Sequence, residues 1–303
     1  MRKFVIIFIE HLKLLFHPVI INAFVFFDKQ KNIVHKNWGD DINYYFLREI
    51  IRRPIVLFNR TSLAFRLMMK NYLVIGSTID MLSNCNTEIW GAGIINRVDV
   101  LDIKFKKIHA VRGPLTRQKL IDKGYKCPEI YGDPALLLPF YYQPKKEKLY
   151  NWGIISHVSN QDFIGKITIK GKSIIHSQEI LIIDLQKYEH WHEIIDKICS
   201  CKAILSSSLH GLIVAEAYNI PNLWIEFGLP LIGEHFKFHD FFLSIHRDRE
   251  APFQVNSGEL SVDDVNKQLS MWKRGTIDLE LLMKACPFPL KRPINKDEYS
   301  IYV

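Results

Sequence analysis

The sequence predicts an α/β protein: two Rossmann-like domains with parallel sheets and a central cleft between them. Three observations carry this expectation. Short apolar runs alternate with stretches of helical periodicity, the pattern of parallel strands joined by crossover helices. Several runs are apolar throughout, as strands buried on both faces must be. The segment YYQPKKEKLYN, residues 141–151, sets a proline and a charge cluster between two apolar runs. It splits the chain into halves of ordinary domain size, here 1–145 and 146–303.

In the first half the apolar runs predict strands over 55–59, 72–76, 88–91, 108–111 and 130–131, with helices over 41–51 and 114–123. Pro114 suits a first helical turn and Gly113 frees the chain ahead of it. In the second half strands are expected over 152–156, 180–185, 203–207 and 222–226, and helices over 190–199 and 210–218. The start of the chain, MRKFVIIFIEHLKLLFHPVIINAFVFF, has an apolar run over 4–9, broken afterwards by Glu10, His11, Lys13, His17 and Pro18. It is too short and interrupted to span a bilayer, and no small-residue cleavage site follows. Two readings fit it: a buried first strand and helix, or an amphipathic segment on a membrane surface with Arg2, Lys3 and Lys13 near lipid phosphates.

Composition narrows the partners. With 48% hydrophobic and 24% charged residues the chain reads as globular, and its net charge of +8 favours anionic ligands. The lysines and arginines are scattered instead of forming a basic arm, so nucleic acid is not an expected partner. Five cysteines without a regular framework read as reduced thiols in a cytosolic setting. His235 and His239 are spaced for one helix face, but the hydrolytic metal pattern is absent, so no metal is expected.

In open parallel sheets, ligands sit beyond the carboxyl ends of the strands, so turns from strand to helix hold the candidate site. In NWGDDINYYF, residues 37–46, Gly39 permits a tight turn, Asp40 or Asp41 can cap a helix, and Asn37 has no evident structural task. In HAVRGPLTRQKL, residues 109–120, Arg112 falls at the positive end of a helix. That placement makes sense if an anion lies between them, whether a ligand or a nearby carboxylate. In SSSLHGLIVAEAYNIPNLW, residues 206–224, Ser206, Ser207 and Ser208 with free helix amides form a cradle for phosphate or carboxylate, and His210 sits in the first turn. The helix field disfavours an imidazolium there until an anion is bound, which suits a proton-transfer group. The spacing G-x-S-x-G of a serine nucleophile is absent. His157, at the end of GIISHV, also falls in the search zone. Asp133, in YGDP, reads as a turn former.

Taken together, NWGDDIN, IWGAGI, HAVRGPLT, YGDPALLLP, GIISHV, SSSLHGLIVAEAYNIP and FKFHDFFLS occur in this order over residues 37–244. The set resembles the polysaccharide pyruvyl transferase family. The resemblance implies a GT-B-like arrangement and transfer of the enolpyruvyl carbons of phosphoenolpyruvate onto a sugar, giving a pyruvate ketal in capsule or exopolysaccharide assembly. Phosphoenolpyruvate is the donor substrate, and no further cofactor is implied. The implied catalytic residues are His210, His157 and Arg112. Substrate contacts fall on Asn37, Gly39, Asp40, Arg112, Ser206, Ser207, Ser208, Leu209, Gly211 and Lys237. Ser208 stands where family members often carry Arg. A lipid-linked sugar acceptor would place the protein in the cytoplasm at the inner face of the plasma membrane, with the N-terminal segment as a contact. Two other readings compete. One is a glycosyltransferase using a nucleotide sugar, with Glu216 or Glu226 on the ribose. The other is a non-catalytic glycan-binding or assembly subunit with Trp152 and Trp191 exposed.

Overall fold

The computed structural model describes residues 14–28, 32–34, 36–59, 62–95, 104–145, 147–228, 233, 235–248, 251–255 and 258–291. Its first half runs β1 (Val19–Ile21), α1 (Trp38–Ile50), β2 (Ile55–Leu57), α2 (Leu63–Arg66), β3 (Asn71–Leu73), α3 (Ile79–Leu82), β4 (Thr87–Trp90), β5 (Lys107–Ala110) and α4 (Pro114–Asp122). The strands pair in parallel in the order β2-β1-β3-β4-β5. A 3-10 turn over Pro134–Phe140 leads toward the second half.

That half runs β6 (Tyr150–Ile155), α5 (Gln161–Ile164), a small hairpin of β7 (Thr168–Ile169) and β8 (Lys172–Ser173), β9 (Ile180–Ile182), α6 (His192–Cys199), β10 (Cys201–Ser206) and α7 (Leu209–Ala217). It continues through β11 (Asn222–Glu226), α8 (Phe236–Ser244), β12 (Phe253–Gln254), α9 (Val262–Ser270) and α10 (Leu279–Lys284). Its parallel sheet has the order β12-β11-β10-β6-β9. The protein is thus mixed α/β with two parallel sheets of five strands each.

The predicted strands at 55–59, 72–76, 88–91, 108–111, 152–156, 180–185, 203–207 and 222–226 all correspond to strands of these sheets. Residues 130–131 supply only an isolated bridge, Val111 to Tyr131. The sequence alone assigns no range to a buried first strand in the N-terminal segment; one lies at 19–21, between β2 and β3 in the first sheet. Its register with 55–57 puts Val19, Ile20 and Ile21 in the core, wholly apolar and following Pro18.

One hydrophobic cluster joins the halves: Trp38, Phe46 and Trp90 from the first with Ile155, Ile204 and Leu212 from the second. The end of the described chain returns to the first sheet. Trp90 Nε1 donates to Leu282 O at 2.9 Å, Phe288 stacks edge-on against Tyr72 and Trp90, and Ile51 bridges to Leu290.

All five thiols are unpaired. Among the described residues no helix is long and apolar enough to cross a membrane. Residues 1–13, with Arg2, Lys3 and Lys13, lie outside the described residues.

Candidate active site

Three helix N-termini and the turns after β3 and β6 meet in one place. At α1, Asn37 is the N-cap: its side chain accepts from Gly39 N at 3.2 Å and donates to Asp40 Oδ2 at 2.9 Å. The cap is therefore Asn37, not one of the two aspartates. Asp41 is buried and accepts from Tyr188 OH at 2.6 Å. Gly39 leaves room for a ring: a Cβ built on it falls 2.0 Å from His210 Nδ1. His210, in the first turn of α7, thus lies against the N-terminus of α1 as well as its own. Two positive helix ends face one imidazole, an arrangement that disfavours its protonated form.

Arg112 is fully buried after β5. The anion expected between it and the α4 N-terminus is Asp240 of α8. Asp240 Oδ2 accepts from Arg112 Nε at 3.0 Å and from Thr116 Oγ1 at 2.7 Å, while Oδ1 accepts from Thr116 N at 2.8 Å. The rest of the guanidinium donates to Ile94 O at 2.8 Å and to Ser77 Oγ. The carboxylate alternative for Arg112 is the one realised, and the residue is anchored rather than free to fork onto a ligand by itself. Gly93 makes the space: a Cβ there would sit 2.3 Å from Arg112 Cζ. The Arg112–Asp240 pair fastens α8 to the start of α4, and α8 carries Lys237 into the site.

Lys237 is only 6% exposed, and among the described residues its ammonium has neither an ion pair nor a hydrogen-bond partner. Burial, with Arg112 adding to it and Asp40 opposing, brings it down to about 8. Its charge is felt across the cluster. Burial and then Lys237, Arg112 and His157 hold His210 down at about 3. Burial and then Lys237 hold His157 at about 4. Asp40 goes the other way: burial raises it to about 7 against the hydrogen bond from Asn37, with Asp41 repelling its charge and Lys237 attracting it. His210 is half-buried as a residue, but its Nε2 is sealed from solvent and has no hydrogen-bond partner.

Gly76, in the left-handed region at φ 107° after β3, floors the space between these groups. A Cβ built on it would lie 3.9 Å from Asp40 Oδ1 and 4.0 Å from His210 Cε1. Its amide donates to the buried Asp133 at 3.4 Å. Burial lifts Asp133 to about 6, with the Ala135 amide and Arg112 opposing. Asp133 does make the expected turn, accepting from Ala135 N at 2.9 Å.

The serines are mostly occupied. Ser206 Oγ donates to Ser208 O at 2.8 Å and accepts from Ser208 N at 3.0 Å, closing the turn into α7. Ser207 Oγ accepts from His157 N at 2.9 Å and ties β10 to the end of β6. Ser208 is the N-cap residue without a side-chain cap bond. Leu209 is core, and Gly211 packs so tightly that a Cβ would fall 2.5 Å from Ser206 Oγ. The structure therefore gathers Asp40, Arg112, His157, His210 and Lys237 as one ionisable group, with Asn37, Gly39, Ser206, Ser207, Leu209 and Gly211 shaping the turns that hold it.

A model of the polysaccharide pyruvyl transferase family matches residues 34–227. The chain belongs to this family. A protein of Acanthamoeba polyphaga mimivirus, described as uncharacterized protein L143, is 29% identical over 239 residues, 75% of this chain and 78% of that one. Polysaccharide pyruvyl transferase membership carries a pyruvyltransferase role in polysaccharide synthesis in general. The matched span holds Asp40, Arg112, Asp133, His157 and His210 but ends before Lys237 and Asp240. Those two, on α8, complete the charge arrangement from outside it.

The acids expected to suit a nucleotide ribose are committed elsewhere. Glu216 is buried and accepts from Asn222 Nδ2 at 2.8 Å, from Trp272 and Gly275, and pairs with Arg247. Glu226 holds His235 at 2.8 Å and Gln254 at 2.7 Å. Trp152 is buried, and Trp191 packs on Tyr142 and His192, so neither offers a free aromatic platform.

Proposed function

We propose that this pyruvyl transferase uses phosphoenolpyruvate as donor and a sugar diol of a cell-surface polysaccharide precursor as acceptor, forming a pyruvate ketal. In this reading the two sheets act as a GT-B-like pair with the cluster at their carboxyl ends. The observation that supports the donor is Lys237: a buried ammonium without a counter-ion, beside anchored Arg112 and two histidines held neutral. A small acid carrying a carboxylate and a phosphate supplies the missing negative charge, and Ser208 with the free amides of α7 offers it further donors.

The proton inventory follows. Carbon C3 of the donor takes one proton, two acceptor hydroxyls lose one each as their oxygens bond to C2, and phosphate leaves with the other. Asp40, protonated near neutrality in the empty site, is the donor to C3. His210, neutral there, takes a proton from an acceptor hydroxyl. Binding of the anionic donor offsets the Lys237 and Arg112 fields, so the imidazolium formed at His210 is stabilised only when substrate is present. Arg112 acts as an anchored field and as the support of α8.

Incubation with phosphoenolpyruvate and a panel of terminal glycosides should release phosphate and yield a product heavier by pyruvate less water. His210→Ala should lower turnover by about 100-fold or more. Lys237→Met should abolish the thermal stabilisation that phosphoenolpyruvate confers. Wild-type turnover by His210→Ala, or stabilisation by nucleotide sugars and not by phosphoenolpyruvate, would remove this reading.

A further inference from the structure

Because the strands of the first sheet are all parallel, the segments entering them share one end of the molecule, opposite the candidate active site. That end is unusual in composition. The chain before β1 exposes Leu15 by 74% and Phe16 by 63%, and the turn before β3 exposes Leu67 by 61% and Met68 by 43%. These four rim one small cluster: Leu14 and Met69, their chain neighbours, pack together on Ile20, Val56, Phe58 and Ala64. Met68 and His17 both hold left-handed backbone, φ 46° and 47°, where Asn or Gly costs less. Folding alone gives no reason for an exposed methionine in such a position.

Charge lies beside the apolar rim. Arg52 and Arg53 precede β2, Arg66 precedes β3, Lys104 and Lys106 precede β5 and Lys107 opens it; all are exposed. Lys123 and Lys126 reach the same end from the far side of α4. None of these cations has an ion pair among the described residues. Among the described residues, exposed carboxylates nearby are fewer: Glu49, Asp122 and Glu129. Glu88 is already paired with Lys70 and His109. Around β5, Lys106, Lys107 and Lys126 line a cavity of about 740 Å³ with Phe105 and Tyr125, whose rings lie 4.0 Å apart. Two strand spacings, about 10 Å, separate the rim at β3 from the lysines at β5, so one flat surface can touch both.

We propose that this end of the first sheet is a docking face for an anionic lipid bilayer. Exposed leucine, phenylalanine and methionine gain by entering the acyl boundary, and lysines and arginines beside them gain from lipid phosphates. A soluble polyanion uses the second contribution but leaves the first unmet, so the pairing of the two favours a membrane. Docking this way leaves the catalytic cluster facing away from the bilayer. From Lys107 to Arg112 the chain advances about 17 Å at strand rise, and an acceptor held by a lipid must reach at least that far.

The test is flotation of the full chain with vesicles of phosphatidylcholine alone and of phosphatidylcholine mixed with phosphatidylglycerol. Binding is expected only to the mixed vesicles and should weaken as salt rises. Reversal of three charges by Lys104→Glu, Lys106→Glu and Lys107→Glu should lower partitioning by about 100-fold, at about 1 kcal/mol for each lysine at an anionic surface. Leu67→Ser with Met68→Asn should lower it independently; Asn suits the φ of residue 68, and circular dichroism checks that each variant is folded. Absence of vesicle binding, equal binding to both vesicle types, or wild-type binding by the lysine variant overturns the proposal. So does binding that ignores the Leu67/Met68 change, which would mark a site for polyanions. Phosphoenolpyruvate turnover in free solution should be unaffected by these variants, so the outcome is separate from that of the proposed reaction.

Discussion

Gly39→Ala isolates the contact between α1 and the histidine. The added methyl would fall 2.0 Å from His210 Nδ1, 2.4 Å from Cγ and 2.7 Å from Cε1. An ordinary contact needs about 3.5 Å, so the ring must retreat by about 1.5 Å or α1 must move. Helix propensity favours alanine by about 0.5–1 kcal/mol, and overpacking costs about 1–3 kcal/mol. The net loss of stability is therefore about 2.5 kcal/mol or less, and the protein should remain folded. Function should fare worse, because displacement of a reacting group by about 1 Å costs about 100-fold in rate. Two measurements check this. Phosphate release from phosphoenolpyruvate with an active acceptor should fall by about 100-fold, mainly in kcat. Titration of the His210 ring by NMR should rise from about 3 toward its ordinary 6.5 as the ring leaves its buried seat. Unchanged kcat together with an unchanged His210 titration would refute the assignment of Gly39 as the spacer for the imidazole.

Other outcomes follow from the same contacts. Asp240→Ala leaves the guanidinium of Arg112 buried without its partner and should cost about 3–5 kcal/mol by urea denaturation, while removal of an exposed acid such as Asp122 should change stability by less than about 0.5 kcal/mol. Asp40 is raised in the folded protein to about 7 from 3.8, so the native state binds a proton there that the unfolded chain has released. The contribution of Asp40 to stability is present below pH 3.8 and lost as pH rises through 7. Asp40→Asn should therefore stabilise the protein at pH 8, by at most about 4 kcal/mol at about 1.4 kcal/mol per pKa unit, and barely at pH 4; equal effects at both values would count against a buried carboxyl.

The sheets were largely legible because buried parallel strands are short, continuous apolar runs, and 222–226 matches β11 residue for residue. The position of β1 escaped because its three residues follow a proline in a segment crowded with apolar side chains, where neither period stands out. At the site, local chemistry located the turns but not their internal use. A serine triplet looks alike whether its hydroxyls face a ligand or bond backbone, and here Ser206 bonds the backbone of Ser208 and Ser207 that of His157. The partner of Arg112 could not be read because Asp240 lies 128 residues along the chain. An aspartate before Pro134 reads as a turn by itself, and its burial beside Arg112 emerges only from tertiary packing.

The return of residues 279–291 to the first sheet governs how the chain is made. While the ribosome is still threading the second sheet, Trp90 has no acceptor for its indole hydrogen, and Tyr72 lacks the ring that will cover it. The earlier-made sheet must wait, incomplete and sticky, until residues 279–291 have emerged. Nascent chains arrested before Phe288 should accordingly be prime clients for chaperones that shield aromatic surface.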